Sequence, residues 1–185
     1  MRMAKPRILF FIASGGFRDE ELFESKRELE SRGCECTVAS TRRGVFAGAL
    51  GGKAEAKLSL EAGELRANDF VAIVFVGGPG VEEYKLDSNA AVLALAREFA
   101  AAGKIIAAIC IAPRILAAAG VVEGKRVTAF PDDETIAALK QAGAVFTGRP
   151  RETDGKLVTA DGPRSARVFG QAIAKVVFES VARNQ

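Results

Sequence analysis

Nearly continuous apolar runs alternate along this chain with amphipathic segments, and the alternation predicts both the elements and their order. Apolar runs of this length are typical of parallel strands that are covered on both faces. A fourth segment, CECTVAS, alternates with period two and also predicts a strand. The predicted strands, with two shorter ones near the end, are RILFFIA (7–13), CECTVAS (34–40), FVAIVFVGG (70–78), KIIAAIC (104–110), RVTAF (126–130) and KLVTA (156–160).

Segments in which apolar residues recur at helical spacing separate these strands. The predicted helices cover 18–33, 88–103, 112–120, 133–143 and 163–182, and the glycine-rich stretch 41–66 predicts a short hairpin and turns. Such β-α alternation favours a flavodoxin-like α/β fold, a doubly wound, mostly parallel sheet with helices on both faces in three layers. The length of 185 residues fits one domain over 1–185. In such sheets the functional site lies beyond the carboxyl ends of the strands.

The charge pattern argues against nucleic-acid and membrane partners. The chain has 26 basic and 23 acidic side chains, a formal net charge of +3, and the signs alternate without long blocks. The first apolar run resembles a signal peptide, but SGGFRDEE follows it without a small-residue cleavage site. We therefore expect a cytoplasmic protein whose thiols stay reduced.

The chain contains no histidine. A Ser-His-Asp triad or a Cys-His pair therefore cannot form within it, and zinc sites of the histidine-rich kinds are also excluded. We expect no cofactor and no metal. Acid–base chemistry must use Glu, Asp, Lys, Tyr, Cys or water.

Cys110 stands where a buried strand meets a short helix, and two interpretations of it are open. It is either a small core residue or a nucleophile, since amide N–H groups at a helix start lower the pKa of a neighbouring thiol. The other two cysteines, Cys34 and Cys36, lie two apart and point to one face of their strand. A metal site could begin there, but packing or a quiet surface thiol explains the pair better.

Four fragments of the chain resemble the ThiJ/PfpI superfamily, which includes PfpI-type intracellular proteases and the parkinsonism-associated protein deglycases. They occur in the family order over roughly 6–180. The fragments are RILFFIASGGFRDEEL, FVAIVFVGGPGVEEYKLD, AAICIAPRILAAAGVVEGKRVTAF and LVTADGPRSARVFGQAIAKVV.

The resemblance implies a role for particular residues. Cys110 matches the family's reactive cysteine, and Glu21 matches the glutamate whose carboxyl group hydrogen-bonds that sulfur. Gly77 and Gly78 match glycines whose backbone N–H groups face the site, and the N–H of Ile111 is a further expected donor. Glu82 matches an acid that completes the site across an oligomer interface in the PfpI-type proteases.

Each assignment has a simpler alternative. Helical periodicity places Glu21 at the edge of the inward face of its helix, where an acid could merely complement the helix dipole. Gly77 and Gly78 could form only a tight turn. Glu82 could be an ordinary surface acid.

The sequence departs from the family at two imidazole positions. Ile111 stands where PfpI-type proteases have a histidine, and Phe130 stands where the deglycase branch usually has one. Peptide hydrolysis therefore lacks a group that could pass a proton to a leaving amine.

These features lead to three functional hypotheses. The first is a cysteine-dependent glyoxalase or deglycase that acts on small 2-oxoaldehydes or their adducts and protects against oxidative stress. The second is a non-enzymatic redox sensor or chaperone-like stress protein with an oxidisable cysteine. The third and least supported is a PfpI-like peptidase. The expected partners are a small carbonyl substrate or a peroxide, and further copies of the chain in a homodimer or larger homo-oligomer.

Overall fold

The structure, a computed structural model, describes residues 4–183. Within these residues a seven-stranded sheet lies at the centre of the molecule. Its strands are β1 (Arg7–Phe11), β2 (Glu35–Ser40), β5 (Leu58–Ser59), β6 (Ala72–Phe75), β7 (Ile105–Ile109), β10 (Arg151–Asp154) and β11 (Leu157–Ala160). Across the sheet they follow the order β10-β11-β7-β6-β1-β2-β5. All neighbours pair in parallel except β10, which runs antiparallel to β11 at one edge.

Helices cover both faces of this sheet. They are α1 (Asp19–Ser31), α2 (Gly80–Glu83), α3 (Ala90–Ala101), α4 (Pro113–Ala118), α5 (Asp133–Gln141) and α6 (Ala166–Arg183). Helices α1 and α6 pack against each other, while α3, α4 and α5 form a separate contacting series. Since right-handed crossovers that run in opposite directions along a sheet place their helices on opposite faces, the order of strands explains this division. The predicted three-layer α/β fold is confirmed.

Within the described residues, two further pairs of strands lie outside the central sheet, one antiparallel and one parallel. The predicted hairpin is present as β3 (Gly44–Ala47) and β4 (Lys53–Ala56), and β8 (Arg126–Val127) pairs with β9 (Val145–Phe146). The carboxylate of Asp19, in the first turn of α1, accepts the N–H groups of Leu50 and Gly52 at 2.8 and 2.6 Å. These bonds fix the hairpin loop against the start of α1.

Several boundaries differ from the sequence prediction for physical reasons. Strand β1 ends at Phe11 rather than at 13, and β6 ends at Phe75 rather than at 78, because the chain leaves the sheet there to form the loops of the site. The two-residue strands β5 and β9, the short helix α2 and the polar edge strand β10 were not predicted. Among the residues described, none of the helices combines the length and apolar character needed to cross a bilayer.

Candidate active site

Three chain segments meet at the carboxyl ends of β1, β6 and β7. Strand β1 is followed in sequence by β2 on one side of it, whereas β6 and β7 lie on its other side. The order of strands therefore reverses at β1, and such a reversal opens a crevice in doubly wound sheets. The N–H of Arg18, in the loop after β1, donates to the carbonyl of Gly77 after β6 at 2.9 Å. This bond ties two of the three segments together.

Cys110 is the residue directly after β7, and its backbone is strained. Its φ is 63°, in the left-handed region that costs a non-glycine residue about 1–2 kcal/mol. Its N–H donates to the carbonyl of Ala160 at 3.0 Å, and its carbonyl accepts the N–H of Phe130 at 2.8 Å. A residue that only filled a core position would gain nothing from this conformation, whereas a sharp strand-to-helix turn presents a nucleophile to a crevice. The geometry therefore favours the nucleophile over the core residue.

Glu21 points inward and lies beside Cys110. Its side chain is completely buried, and Oε2 accepts the N–H of Gly77 at 2.9 Å. Within residues 4–183, Oε1 has no nitrogen or oxygen partner, and the Cys110 thiol lies within hydrogen-bonding reach of the carboxyl group. Burial raises the pKa of Glu21 from 4.5 to about 7, against the opposing effects of the Cys110 and Gly77 hydrogen bonds and of the Arg18 charge.

The thiol of Cys110 does not have the lowered pKa that its position before a helix predicts. The N–H groups of Ile111 and Gly78 do favour the thiolate, as expected. Burial and the negative charge of Glu21 outweigh them and raise the pKa of Cys110 to about 12. The two groups titrate as a pair that loses a first proton near pH 7 and a second near pH 12. Between these values the pair holds one proton, which lies mainly on Sγ because the pKa of the carboxyl group is the lower of the two.

The two glycines of the loop after β6 offer their N–H groups to different partners in the site. The N–H of Gly77 is engaged by Glu21, and only the Gly78 N–H is directed at sulfur. A Cβ on Gly77 would lie 2.6 Å from the Cβ of Cys110 and 2.7 Å from Oε2 of Glu21. Gly77 therefore allows the acid and the thiol to approach each other, and Gly78, at φ 105°, supplies the donor.

Glu82 and the two residues at the imidazole positions lie around the site. Glu82, on α2, has a half-exposed side chain that forms an ion pair with Arg114 at 2.8 Å within the same chain. Its role at an oligomer interface stays a prediction. The side chain of Ile111 is buried, and that of Phe130 is exposed, with its ring 3.6 Å from where a Cβ on Gly162 would lie.

Sequence reasoning missed two arginines. The charge of Arg18 acts on both Glu21 and Cys110, and its guanidinium group binds Glu20 through two hydrogen bonds of 2.9 and 3.1 Å. Arg114 is buried in α4, four residues after Cys110. An arginine in the otherwise apolar stretch IAPRILAAA was the available signal for the second of these.

Cys34 and Cys36 lie at the start of β2, far along the strands from the carboxyl ends that form the site. Cys34 belongs to the apolar core and Cys36 packs against it, which confirms the expected packing role. Burial raises the pKa of both thiols, that of Cys36 to about 12.

The family model described as DJ-1/PfpI matches residues 6–176. An uncharacterized protein of Methanocaldococcus jannaschii is 40% identical over 95% of this chain and 84% of its own length. A protein of Pyrococcus abyssi named as a deglycase is 34% identical over 91% of this chain and 98% of its own length.

A solved structure has the same fold as this chain. The crystal structure of a ThiJ/PfpI domain protein from Brachyspira murdochii superposes with a TM-score of 0.88 and 34% identity, covering 95% of this chain and 99% of that one. The family match, the relatives and the fold agree over nearly the whole described length. The chain belongs to the DJ-1/PfpI family.

Proposed function

We propose that this protein is a cysteine-dependent enzyme of the glyoxalase or deglycase type, which acts on small 2-oxoaldehydes or their adducts. The observation that carries the proposal is the pairing of Cys110, held at φ 63°, with the fully buried Glu21. The deglycase names of several relatives, among them proteins of Pyrococcus abyssi and Pyrococcus furiosus, support the same class of chemistry.

Glu21 has the acid–base properties that the missing imidazoles would otherwise supply. General acid–base catalysis is most efficient when the pKa of the catalytic group lies near the working pH. Burial brings the pKa of Glu21 to about 7, close to the ordinary pKa of histidine. A chain without histidine can therefore still move protons at neutral pH beside its nucleophile.

The reaction starts when the ionised Glu21 takes the proton of the Cys110 thiol, which leaves sulfur ionised and Glu21 protonated. Sγ of Cys110 attacks the aldehyde carbon, a C–S bond forms, and the carbonyl oxygen takes the proton of Glu21 to give a hemithioacetal. The Glu21 carboxylate then removes the proton from that carbon and returns it to the neighbouring carbon. As this happens, the hydroxyl proton passes to the oxygen of the neighbouring carbon, which leaves a 2-hydroxy thioester. Water cleaves the C–S bond and releases a 2-hydroxy acid and the free thiol, so that one 2-oxoaldehyde and one water give one 2-hydroxy acid.

The wild-type protein should convert methylglyoxal into lactate. Lactate is measured rather than loss of methylglyoxal, because lysine and arginine side chains consume the aldehyde without turnover. The control is the same protein after Cys110 has been alkylated with iodoacetamide. Lactate formation that does not exceed the rate without protein would refute the proposal.

The second candidate is a redox sensor, and the absence of both family imidazoles favours it over a peptidase. In this case the thiolate attacks a peroxide, an S–O bond forms as the O–O bond breaks, and a second peroxide gives the sulfinic acid. A protonated Glu21 would donate a hydrogen bond to a sulfinate oxygen.

A sensor should add two oxygens to Cys110 before either of the other cysteines reacts. Peptide mass spectra after graded hydrogen peroxide give the order of oxidation. Prior oxidation of Cys34 or Cys36 would contradict the sensor function. Burial raises the pKa of both thiols and, within residues 4–183, no backbone N–H group offsets this as those of Ile111 and Gly78 do at Cys110.

A further inference from the structure

We propose that Arg114 is a positioning residue that holds the backbone donors of Gly78 and Ile111 against the sulfur of Cys110. The inference rests on the proposed role of Cys110 as the reactive group. Neither the resemblance nor the comparisons assign a function to this arginine.

Arg114 is a buried cation with polar partners on several sides. It is 5% exposed. Its Nε donates to Oγ1 of Thr135 at 2.6 Å, Nη1 to Oε1 of Glu82 at 2.8 Å, and Nη2 to Oδ1 of Asp132 at 3.0 Å. A fourth contact, to Glu134, is an ion pair of 3.3 Å. The planar fork of a guanidinium group can serve partners in these separate directions, which a lysine ammonium cannot do.

The partner Glu82 connects Arg114 to the loop that carries the Gly78 donor. Glu82 lies on α2, which begins two residues after Gly78. At the start of α2, the N–H of Gly80 donates to the carbonyl of Gly16 at 2.9 Å. The ion pair to Arg114 therefore fixes α2 against α4, the helix that follows the nucleophile.

The partner Asp132 connects Arg114 to the backbone of Cys110 itself. The N–H of Asp132 donates to the carbonyl of Phe130 at 2.9 Å, and the N–H of Phe130 donates to the carbonyl of Cys110 at 2.8 Å. The carbonyl of Cys110 belongs to the same peptide unit as the Ile111 N–H that faces sulfur. Arg114 thus links the segments on both sides of the strained residue.

A purely structural role would lower the stability of the protein but leave the reactivity of Cys110 in the folded protein unchanged. The two roles are therefore separated by the pH dependence of Cys110 alkylation, followed by peptide mass spectrometry with iodoacetamide and no substrate. Urea unfolding of the same variants reports stability independently.

Loss of the contacts that Arg114 makes with Glu82 and Asp132 should shift the pH profile of Cys110 alkylation to higher pH. We expect Arg114→Met to lower the rate of Cys110 alkylation near neutral pH about tenfold, which corresponds to a shift of the profile by about one pH unit. Arg114→Lys should recover only part of this loss, and Glu82→Gln should shift the profile in the same direction by less. Glu82→Gln in the Arg114→Met background should add little, because the two residues act through one contact. Arg97→Met, which removes an exposed arginine that contacts the end of the α4 segment, is the matched control and should leave the profile unchanged.

An unchanged alkylation profile in folded Arg114→Met would overturn the inference, whatever happens to stability. If Arg114→Met does not fold, Glu82→Gln decides, because its half-exposed side chain can be replaced without opening the core. Wild-type protein that forms no lactate would refute the enzymatic function but leave the positioning role intact, since alkylation needs no substrate.

Discussion

Replacing Cys110 with serine should abolish lactate formation from methylglyoxal, with a loss of at least about 1,000-fold relative to the wild type. A serine hydroxyl ionises far less readily than a thiol, and the one acid beside it, Glu21, has a pKa of only about 7. The expected remainder is the uncatalysed rate. Serine fits the volume of cysteine, so the strained turn and the neighbouring Glu21 stay in place.

The matched control is Cys36→Ala, which removes a thiol from the opposite end of the sheet. Lactate formation by this variant should stay within about twofold of the wild type. The Cys36 side chain is remote from the site, and a substitution of this kind changes the stability of the protein only slightly. Urea unfolding of both variants separates loss of the nucleophile from loss of the fold. Equal lactate formation by Cys110→Ser and the wild type would show that the proposed nucleophile takes no part in the reaction.

The central part of the fold was predictable because its strands are buried on both faces. Strands β1, β6 and β7 are continuous apolar runs, and such runs have few other structural interpretations. The sequence RETD of β10 carries no such signal, because an edge strand needs no apolar pattern and gains its order from pairing with β11. The two residues of β5 are likewise ordered by their neighbour β2 rather than by their own composition.

The site was predictable in position but not in electrostatics. The junction of β7 with α4 located Cys110, and the row of acids after β1 located the region of Glu21. Periodicity left the direction of Glu21 open, since its inward orientation depends on Gly77 having no side chain at a point of close approach. The position of Cys110 before a helix predicts the backbone N–H groups that favour a thiolate. The burial that raises the pKa of the thiol depends on the packing of the whole fold and was not predictable.

The buried carboxyl of Glu21 should make the stability of the protein depend on pH. In the unfolded chain Glu21 ionises near its usual pKa of 4.5, whereas in the folded protein it keeps its proton until about pH 7. Between these values the folded state binds more protons than the unfolded state, so the free energy of unfolding falls as the pH rises. The stabilisation is complete below pH 4.5, and the difference between the two pKa values corresponds to a loss of about 3 kcal/mol by pH 7.

Glu21→Gln should remove this dependence, because an amide of nearly the same shape does not titrate. Urea unfolding of both proteins between pH 4 and pH 7 should show the stability of the wild type falling by about 3 kcal/mol relative to the variant. Titration of all other groups cancels in this difference. Glu24→Gln, a substitution at a partly exposed acid one turn further along α1, is the control and should show no comparable change.

The same variant separates the chemical role of Glu21 from its burial. Without this carboxyl group, none of the side chains in residues 4–183 that lie beside sulfur can return a proton to the substrate, so lactate formation by Glu21→Gln should fall about 100-fold or more. A stability difference that does not change with pH would show that Glu21 is ionised in the folded protein at pH 5. The pKa of Glu21 would then lie well below neutral pH, and its carboxyl group would be a poor proton donor to the carbonyl oxygen at the pH of the proposed reaction.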